Sequence, residues 1–369
     1  MKRITIMRAR SLNLRGRRAC AGLVAALLCT SVAPAATPAT AAAPCERACL
    51  EGFVGRYLDA VAANQPSAVP ISPNVRFTEN GQRLLVGDGL WNTMKARGNY
   101  KLFVTDVAAG QVTFFGTIQE DHRDAAKFNG SFIALRLLVR DQQITEVEQI
   151  VFRHPTETDN ASYNRLDGMA IHPKLVEAIP RAARLSRAEL VTQANKYFTG
   201  LQKNDGKGDY PFTPDCLRHE NGKQATLAPT PAGEQRPDPA TATGYSGQWS
   251  CTEQFKSGLM AFVNRIRDRR FVAVDPERGL VFAFAFFDHS GGATRTFTTA
   301  NGRTVTAGPV QPHTWQIAEI FKIEKSGLIS KIDALLERAP YGLNSGWSTW
   351  EQGMSDHARD VTFEVPTGI

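Results

Sequence analysis

Two short clusters in the second half of the chain hold residues able to transfer protons. One is His219-Glu220, at the end of an expected strand. The other is Asp288-His289, which closes a very apolar strand, with His313 beyond a polar loop. Imidazole and carboxylate groups perform acid and base catalysis without a cofactor. Because successive strand residues face opposite sides, we expect only one of His219 and Glu220 to point into a cavity, unless the turn rotates the other.

Each cluster also has a structural interpretation. The triplet Glu220-Asn221-Gly222 has a counterpart at residues 79–81, so a shared turn requirement can explain it. His219 has no such counterpart and is either a pocket residue or a satisfied surface or interface histidine. If the strands at His289 and His313 pair as a hairpin, the imidazoles lie together as a base with an orienting partner, or as a metal site lacking its third ligand. A hydrated strand end is the alternative.

Carboxylates occupy equivalent places on the last strand of each half of the chain, at Glu148 and Asp333. Both have apolar neighbours, and burial of such a group raises its pKa and suits it to act as a base. The alternative is that Glu146 and Glu148, two residues apart, share one solvated face. We therefore predict Glu148 and Asp333 as further candidates for catalysis, beside His219, Glu220 and His289.

Aromatic residues indicate a flat ligand, because aromatic rings stack well on planar molecules, although each alone is more typical of core packing. Those expected to bind substrate, together with His313, are Tyr197, Tyr245, Trp249, Trp315, Trp91 and Tyr100. Beyond residue 43 there is no Ser-His-Asp order, no His-Glu-x-x-His and no phosphate-binding loop. We expect neither a metal nor a cofactor.

One sequence pattern occurs twice, in residues 46–155 and again in residues 186–340. Each copy has an amphipathic helix, a Pro-bearing loop, a Glu-Asn-Gly turn and long strands. The second copy carries two polar insertions, near residues 225–247 and 290–312, where specificity is expected to diverge. The predicted organisation is a signal peptide at 1–43, domains at 44–155 and 186–350, a linker at 156–185 and a tail at 351–369.

The first 43 residues predict export. They contain seven basic and no acidic residues, followed by a small and apolar run that is too short and broken for a permanent membrane anchor. We expect a periplasmic or secreted protein. Removing the leader takes the formal charge from +7 to 7 − 7 = 0, which leaves no positive field to attract nucleic acid.

Four cysteines lie beyond the leader, and three pairings are open to them. Cys216 and Cys251 flank the first insertion, and the pairing we favour is a disulfide that closes this loop. Cys45 and Cys49 are four residues apart at the start of a helix, a spacing that suits stacking on one face better than a relaxed bridge.

The order of elements resembles that of the nuclear transport factor two-like family, with its SnoaL-like polyketide cyclases and ketosteroid isomerases. The strings Glu79-Asn80-Gly81, Gly87-Asp-Gly-Leu-Trp91 and Pro340-Tyr-Gly-Leu-Asn-Ser-Gly-Trp347 also look like those of a group of exported tandem proteins with that fold. The resemblance implies an α+β fold of two tandem cone-shaped domains. In each, a strongly bent antiparallel sheet wraps around helices and encloses a pocket.

These observations favour an exported, cofactor-independent acid–base enzyme. Its substrate would be a small aromatic molecule, and the group it resembles implies aryl ethers of lignin type. A lyase, an isomerase and an ether-cleaving hydrolase all remain open, because each moves a proton beside a stabilised oxyanion. A further expected partner is a similar domain protein in a homo- or hetero-oligomer. The alternative function is a non-catalytic small-molecule-binding or assembly module of the cell envelope.

Overall fold

The computed structural model describes residues 45–121, 130–153 and 160–361. The predicted signal peptide lies outside these residues, as do residues 362–369 of the predicted tail. In the first half, the helices and strands are α1 (Arg47–Ala62), β1 (Ile71–Glu79), β2 (Gln82–Arg83), β3 (Met94–Asp106), β4 (Gln111–Glu120), β5 (Gly130–Arg140), β6 (Gln143–Arg153) and α2 (Asn160–Asp167).

The second half repeats a helix followed by strands and adds short elements. Its helices and strands are α3 (Arg187–Leu201), β7 (Phe212–Glu220), β8 (Lys223–Gln224), α4 (Cys251–Ser257), β9 (Arg265–Asp275), β10 (Leu280–His289), β11 (Thr296–Thr298), β12 (Thr304–Thr306), β13 (His313–Ile323), β14 (Ile329–Ala339), α5 (Trp350–Met354) and β15 (Ala358–Asp360). No helix in the described residues is long and apolar enough to cross a membrane.

Two large sheets dominate the molecule. Sheet A has the strand order β2-β1-β6-β5-β4-β3, and sheet B has the order β15-β9-β10-β13-β14-β7-β8. In each sheet the first strand of that half runs parallel to its last long strand. These pairs are β1 beside β6 and β7 beside β14. Both sheets are therefore mixed, with parallel and antiparallel pairs. The domain boundaries proposed from the sequence stay a prediction.

The predicted fold class was wrong. We expected antiparallel sheets wrapped around helices as cones, whereas the protein is a sheet-rich α+β fold with two mixed sheets and few helices. The physical reason lies in strands such as β10, whose ten residues are all buried. Strands buried on both faces read as continuous apolar runs, which do not show what covers each face.

The two sheets pack against each other through one face, and each carries a helix on its other face. Helix α1 packs on sheet A through Leu50, Phe53 and Val54. Helix α3 packs on sheet B through its own apolar residues, among them Phe198. Between the sheets lies a third apolar cluster that joins side chains such as Leu102 and Phe132 of sheet A with Phe282, Phe284 and Ile320 of sheet B.

A buried ion pair joins the sheets inside this apolar layer. The Arg270 guanidinium donates to both carboxylate oxygens of Glu148, at 2.9 and 2.6 Å. The side chains of Arg270 and Glu148 are 3% and 2% exposed. Arg136 also contacts Glu148, at 3.3 Å. Removing one partner of such a pair leaves a buried charge without compensation, which costs more stability than the pair itself supplies.

The segment that follows β14 ties the two halves together. Trp347 donates from its indole nitrogen to the Thr78 hydroxyl at 2.7 Å. The guanidinium groups of Arg76 and Arg136 lie 4.4 and 4.5 Å from the centre of the Trp347 rings. Farther along, β15 adds a parallel strand to β9 in sheet B. This segment therefore links sheet B back to residues of sheet A.

Replacement of Glu148 by Ala should lower the free energy of unfolding by about 3–5 kcal/mol, because it removes the carboxylate shared by the buried Arg270 and Arg136 and leaves them with only Asp268 and Glu146 among the described carboxylates. Urea unfolding followed by circular dichroism measures the change. The matched control is Asp59→Ala, which removes an ion pair to Arg97 whose side chains are 60% and 37% exposed and should cost less than about 1 kcal/mol. Equal effects of the two substitutions would show that the pair does not hold the sheets together.

Candidate functional site

A cavity of about 430 Å³ lies on the face of sheet B that carries α3. Its apolar wall includes Leu201, Met260, Phe262, Val263, Phe287, Ile317 and Leu336. Its polar and aromatic residues are Tyr197, Arg218, Glu220, Tyr245, His289, His313, Trp315 and Glu319. A mostly apolar cavity with a few converging polar groups is the usual form of a small-molecule site.

Two carboxylates stand in line across the sheet on this face. Glu319 of β13 pairs with Ala334 of β14, and Ala334 pairs in turn with Glu220 of β7. Neighbouring strands lie about 4.8 Å apart, so the two glutamates are separated by roughly 10 Å at their backbones. The methyl group of Ala334 between them leaves open space. A small molecule that lies over Ala334 is therefore between the carboxyl groups of Glu319 and Glu220.

Glu319 is a strongly perturbed carboxyl group in the cavity. The residue is only 2% exposed, and within the described part of the chain its Oε2 atom has no hydrogen-bond partner. Burial raises its pKa to about 8, although the nearby Arg218 guanidinium acts in the opposite direction. Tyr197, from α3, lies close enough to hydrogen-bond with Glu319. At neutral pH the carboxyl group is therefore mainly protonated and can donate a proton.

Arg218 positions the other carboxylate. Its Nε atom lies 3.0 Å from Glu220 Oε1, and its Nη2 atom donates to Gln254 Oε1 at 2.7 Å. The Tyr197 hydroxyl accepts from Arg218 Nη1 at 3.4 Å. Gln254 itself donates to two backbone carbonyls, so the guanidinium is held in one orientation. The Glu220 side chain is 32% exposed at the cavity wall.

Two stacked imidazoles stand at the base of the β10–β13 hairpin. His289 pairs with His313 in the strand register, and the rings lie 4.9 Å apart with an interplanar angle of 2°. Burial lowers the pKa of His289 to about 4, with a smaller contribution from His313. Burial also lowers the pKa of His313. Both rings are therefore neutral at physiological pH.

The two insertions form one side of the cavity and hold each other in place. The Arg303 guanidinium donates to the carbonyls of Thr241 and Ala242, each at 3.0 Å. A small apolar cluster of Trp249, Leu259 and Val305 packs beneath this contact. Gly244 and Tyr245 from the first insertion, and residues 307–309 from the second, reach the cavity.

Two disulfides are present among the described residues. Cys216 is joined to Cys251 with an S–S distance of 2.09 Å, so the bond spans the first insertion. Cys45 is joined to Cys49, with 5.3 Å between their Cα atoms. The second bond differs from our expectation of stacked thiols. Cys45 precedes α1, and the extended backbone of Glu46, between Cys45 and the helix, allows the two sulfurs to meet.

In sheet A the corresponding positions are occupied by side chains bonded to each other. The Tyr57 hydroxyl donates to Gln149 Oε1 at 3.0 Å, and Gln149 Nε2 donates to Glu79 Oε2 at 2.9 Å. Arg153 donates to the other oxygen of Glu79 at 2.9 Å. Gln149 stands where sheet B has Ala334, and Leu135 stands where it has Glu319. The polar groups of Tyr57, Gln149 and Glu79 are therefore satisfied by one another and by Arg153.

The structure brings together only some of the residues expected to act. Glu220 and His289 line the cavity, as do four of the predicted binding residues: Tyr197, Tyr245, His313 and Trp315. Glu148 lies between the sheets, paired with Arg270. Trp91 packs edge-on against Tyr57 in the first half, and Trp249 is buried beneath the insertions.

Three further predicted residues form a separate cluster on the opposite face of sheet B. Lys331 Nζ contacts His219 Nδ1 at 2.8 Å and also contacts the Asp333 carboxylate. The Tyr100 hydroxyl donates to Asp333 at 3.2 Å. His219 and Asp333 belong to strand positions adjacent to Glu220 and Ala334, so they face the other way. They join the two sheets and do not reach the cavity.

Two polar cavity residues were missed from the sequence, Glu319 and Arg218. A signal exists for Glu319, because His313, Trp315, Ile317 and Glu319 alternate along β13 and share one face. Arg218 is likewise two residues before Glu220 on β7. This alternation along β13 was hard to recognise, because residues on the opposite face of the strand, such as Ala318, are also apolar.

The second half of the chain is similar to a known protein family. A family model described as Domain of unknown function (DUF8021) matches residues 183–336. This segment is similar to that family and contains α3 and most of sheet B. A comparison with curated proteins gives no match. Among solved structures, AclR from Streptomyces galilaeus, a proposed hydroxylase, is 14% identical, with 36% of this chain and 93% of that chain covered and a TM-score of 0.24.

Stability should depend on pH through Glu319. Its ordinary pKa is 4.5 and its pKa in the folded protein is about 8, so between these values the folded state keeps a proton that the unfolded state has lost. The resulting stability is complete below pH 4.5 and is lost as the pH rises to about 8. Between pH 5 and pH 9, wild type should therefore lose about 3–5 kcal/mol more than Glu319→Gln, measured by urea unfolding. Identical pH dependence in the two proteins would contradict this assignment.

Proposed function

We propose that the cavity of sheet B is the active site of an exported, cofactor-independent enzyme. It would cleave or rearrange a small aromatic substrate by moving protons between two carboxyl groups. The observation that carries the proposal is Glu319, a buried carboxyl group with an unpaired oxygen on the cavity wall. Carboxyl groups that differ strongly in environment are typical of acid–base sites, in which one donates and the other accepts a proton.

Each polar residue has a defined role in this mechanism. Glu220, held by Arg218, removes a proton from the substrate. Glu319 donates its proton to the substrate oxygen on which negative charge develops, and the Tyr197 hydroxyl donates a hydrogen bond to the Glu319 carboxylate that remains. One proton is taken and one is given, so the step balances without an oxidant or a metal. The same pair serves an isomerisation, or an elimination in which the electron pair of the broken C–H bond forms a C=C bond and an aryl-ether oxygen leaves as a phenol with the proton from Glu319.

The cavity walls support an aromatic substrate. Trp315, Phe262, Phe287 and Tyr245 provide ring faces and edges around the open space. Planar ligands gain dispersion and stacking energy on such walls. The resemblance to SnoaL-like proteins and ketosteroid isomerases favours the same kind of chemistry.

Export is supported by the cysteines. The four cysteines of the described residues form two disulfides, and such bonds persist in oxidising compartments. We therefore propose a periplasmic or secreted location.

Incubation of the purified protein with a panel of aryl ethers and other small aromatic compounds, without added cofactor, tests the proposal. Products are followed by chromatography with mass detection. Glu319→Gln and Glu220→Gln should each lower kcat about 100-fold or more, because each removes a proton-transfer group. The matched control is Glu337→Gln, since Glu337 is also a partly buried carboxyl whose pKa is raised to about 7, on a strand position that faces away from the cavity.

The control should retain activity within about twofold of wild type. Conversion that survives both cavity substitutions would show that the carboxyl pair is not the catalyst. Saturable binding of a compound without any product would instead identify a binding module.

A further inference from the structure

The end of the cavity remote from Glu319 is a second polar region. Residues 313, 315, 317 and 319 share one face of β13, so His313 is six residues away from Glu319 along the strand. At about 3.3 Å per residue this corresponds to roughly 20 Å. Trp315 and Ile317 lie between them and are apolar. A single aromatic ring cannot reach both polar ends, so a molecule that does must be elongated.

The hydrogen bonds of the two imidazoles determine which of their nitrogens carry a proton. His289 Nδ1 lies 3.1 Å from the carbonyl oxygen of Phe287, and His313 Nδ1 lies 3.3 Å from that of Gln311. A carbonyl oxygen only accepts, so each Nδ1 carries hydrogen and donates. In a neutral ring the other nitrogen, Nε2, is then a hydrogen-bond acceptor.

The Nε2 atom of His313 has no partner within the part of the chain that the structure describes. His313 is only 5% exposed and lines the cavity. A buried acceptor without a donor costs stability, and a ligand that supplies a donor recovers it. Trp315 packs edge-on against the imidazole, with 5.3 Å between ring centres, and fixes its position.

We propose that His289 and His313 form a subsite for a phenolic hydroxyl group at the far end of an elongated aromatic ligand. The hydroxyl donates to Nε2 of His313, and its ring lies against Trp315. A methoxy group in the same place supplies no donor. The orientation of this ligand, with its reacting part at Glu319, rests on the proposed function, whereas recognition of the hydroxyl depends on binding alone.

A carboxylate is the competing terminal group, because Arg338 lies near enough to lower the pKa of His313. Arg338 is exposed on β14, however, where water screens its charge. The other nearby cations, Arg265 and Arg267, are paired with Asp288. The neutral imidazoles present acceptors, which disfavour an anion.

Isothermal titration calorimetry with four probes tests the subsite: stilbene, 4-hydroxystilbene, 4-methoxystilbene and stilbene-4-carboxylate. Wild type should bind the hydroxy compound about tenfold more tightly than the methoxy compound, the value of one hydrogen bond. His313→Phe, which keeps a ring but removes the acceptor, should reduce this preference to within about twofold. His313→Gln retains an acceptor oxygen and should keep part of the preference.

Exposed His357 provides the matched control, since His357→Phe should leave the tenfold preference unchanged. Glu319→Gln should also leave this preference unchanged while reducing turnover, so turnover that survives Glu319→Gln would count against the proposed function and not against the subsite. An equal preference in wild type and His313→Phe, tightest binding of the carboxylate, or no binding of any probe would each overturn the subsite.

Discussion

The central strands of sheet B are buried on both faces, and the rest of the structure depends on this constraint. One face packs on sheet A, and the other carries α3 and the cavity. Because side chains alternate along a strand, each residue belongs to one face or the other. Glu319 and Ala334 face the cavity, whereas their neighbours Ala318 and Asp333 face sheet A. A register slip of one residue would exchange the cavity for the interface.

The same alternation explains how much the sequence could predict. The end of β7 and the hairpin base were identifiable, because the turn triplet that begins at Glu220 recurs at residues 79–81 and His289 ends a very apolar strand. Which neighbour faces the cavity could not be derived, since Asp333 lies between two apolar residues and Glu148 follows Val147. Their partners, Arg270 and Tyr100, come from the other half of the chain. Sequence pattern carries no information on such distant contacts, so the packing of two sheets was missed.

Sheets A and B share their strand order yet differ in what their polar residues do. In sheet A, Glu79, Gln149 and Tyr57 bond to one another and to Arg153. In sheet B the place of Gln149 is taken by Ala334, which opens space beside Glu220. The open space is then closed on one side by the insertions, which interlock through Arg303.

A buried carboxyl group without a full set of partners lowers the stability of a fold, so its presence requires a reason. In sheet A that cost is avoided, because Leu135 stands in the place of Glu319 and the nearby Glu79 is fully bonded. In sheet B, stability is lowered by the unpaired oxygen of Glu319 and by the unpaired nitrogen of His313. Both groups face one cavity and would gain partners from one ligand. Local rules of polar satisfaction fail most often at functional sites, and two of the buried polar atoms without a partner, in Glu319 and His313, line the cavity that the insertions help to enclose. The proposed chemistry therefore belongs to sheet B, while sheet A and its ion pair with Arg270 hold the back of that site in place.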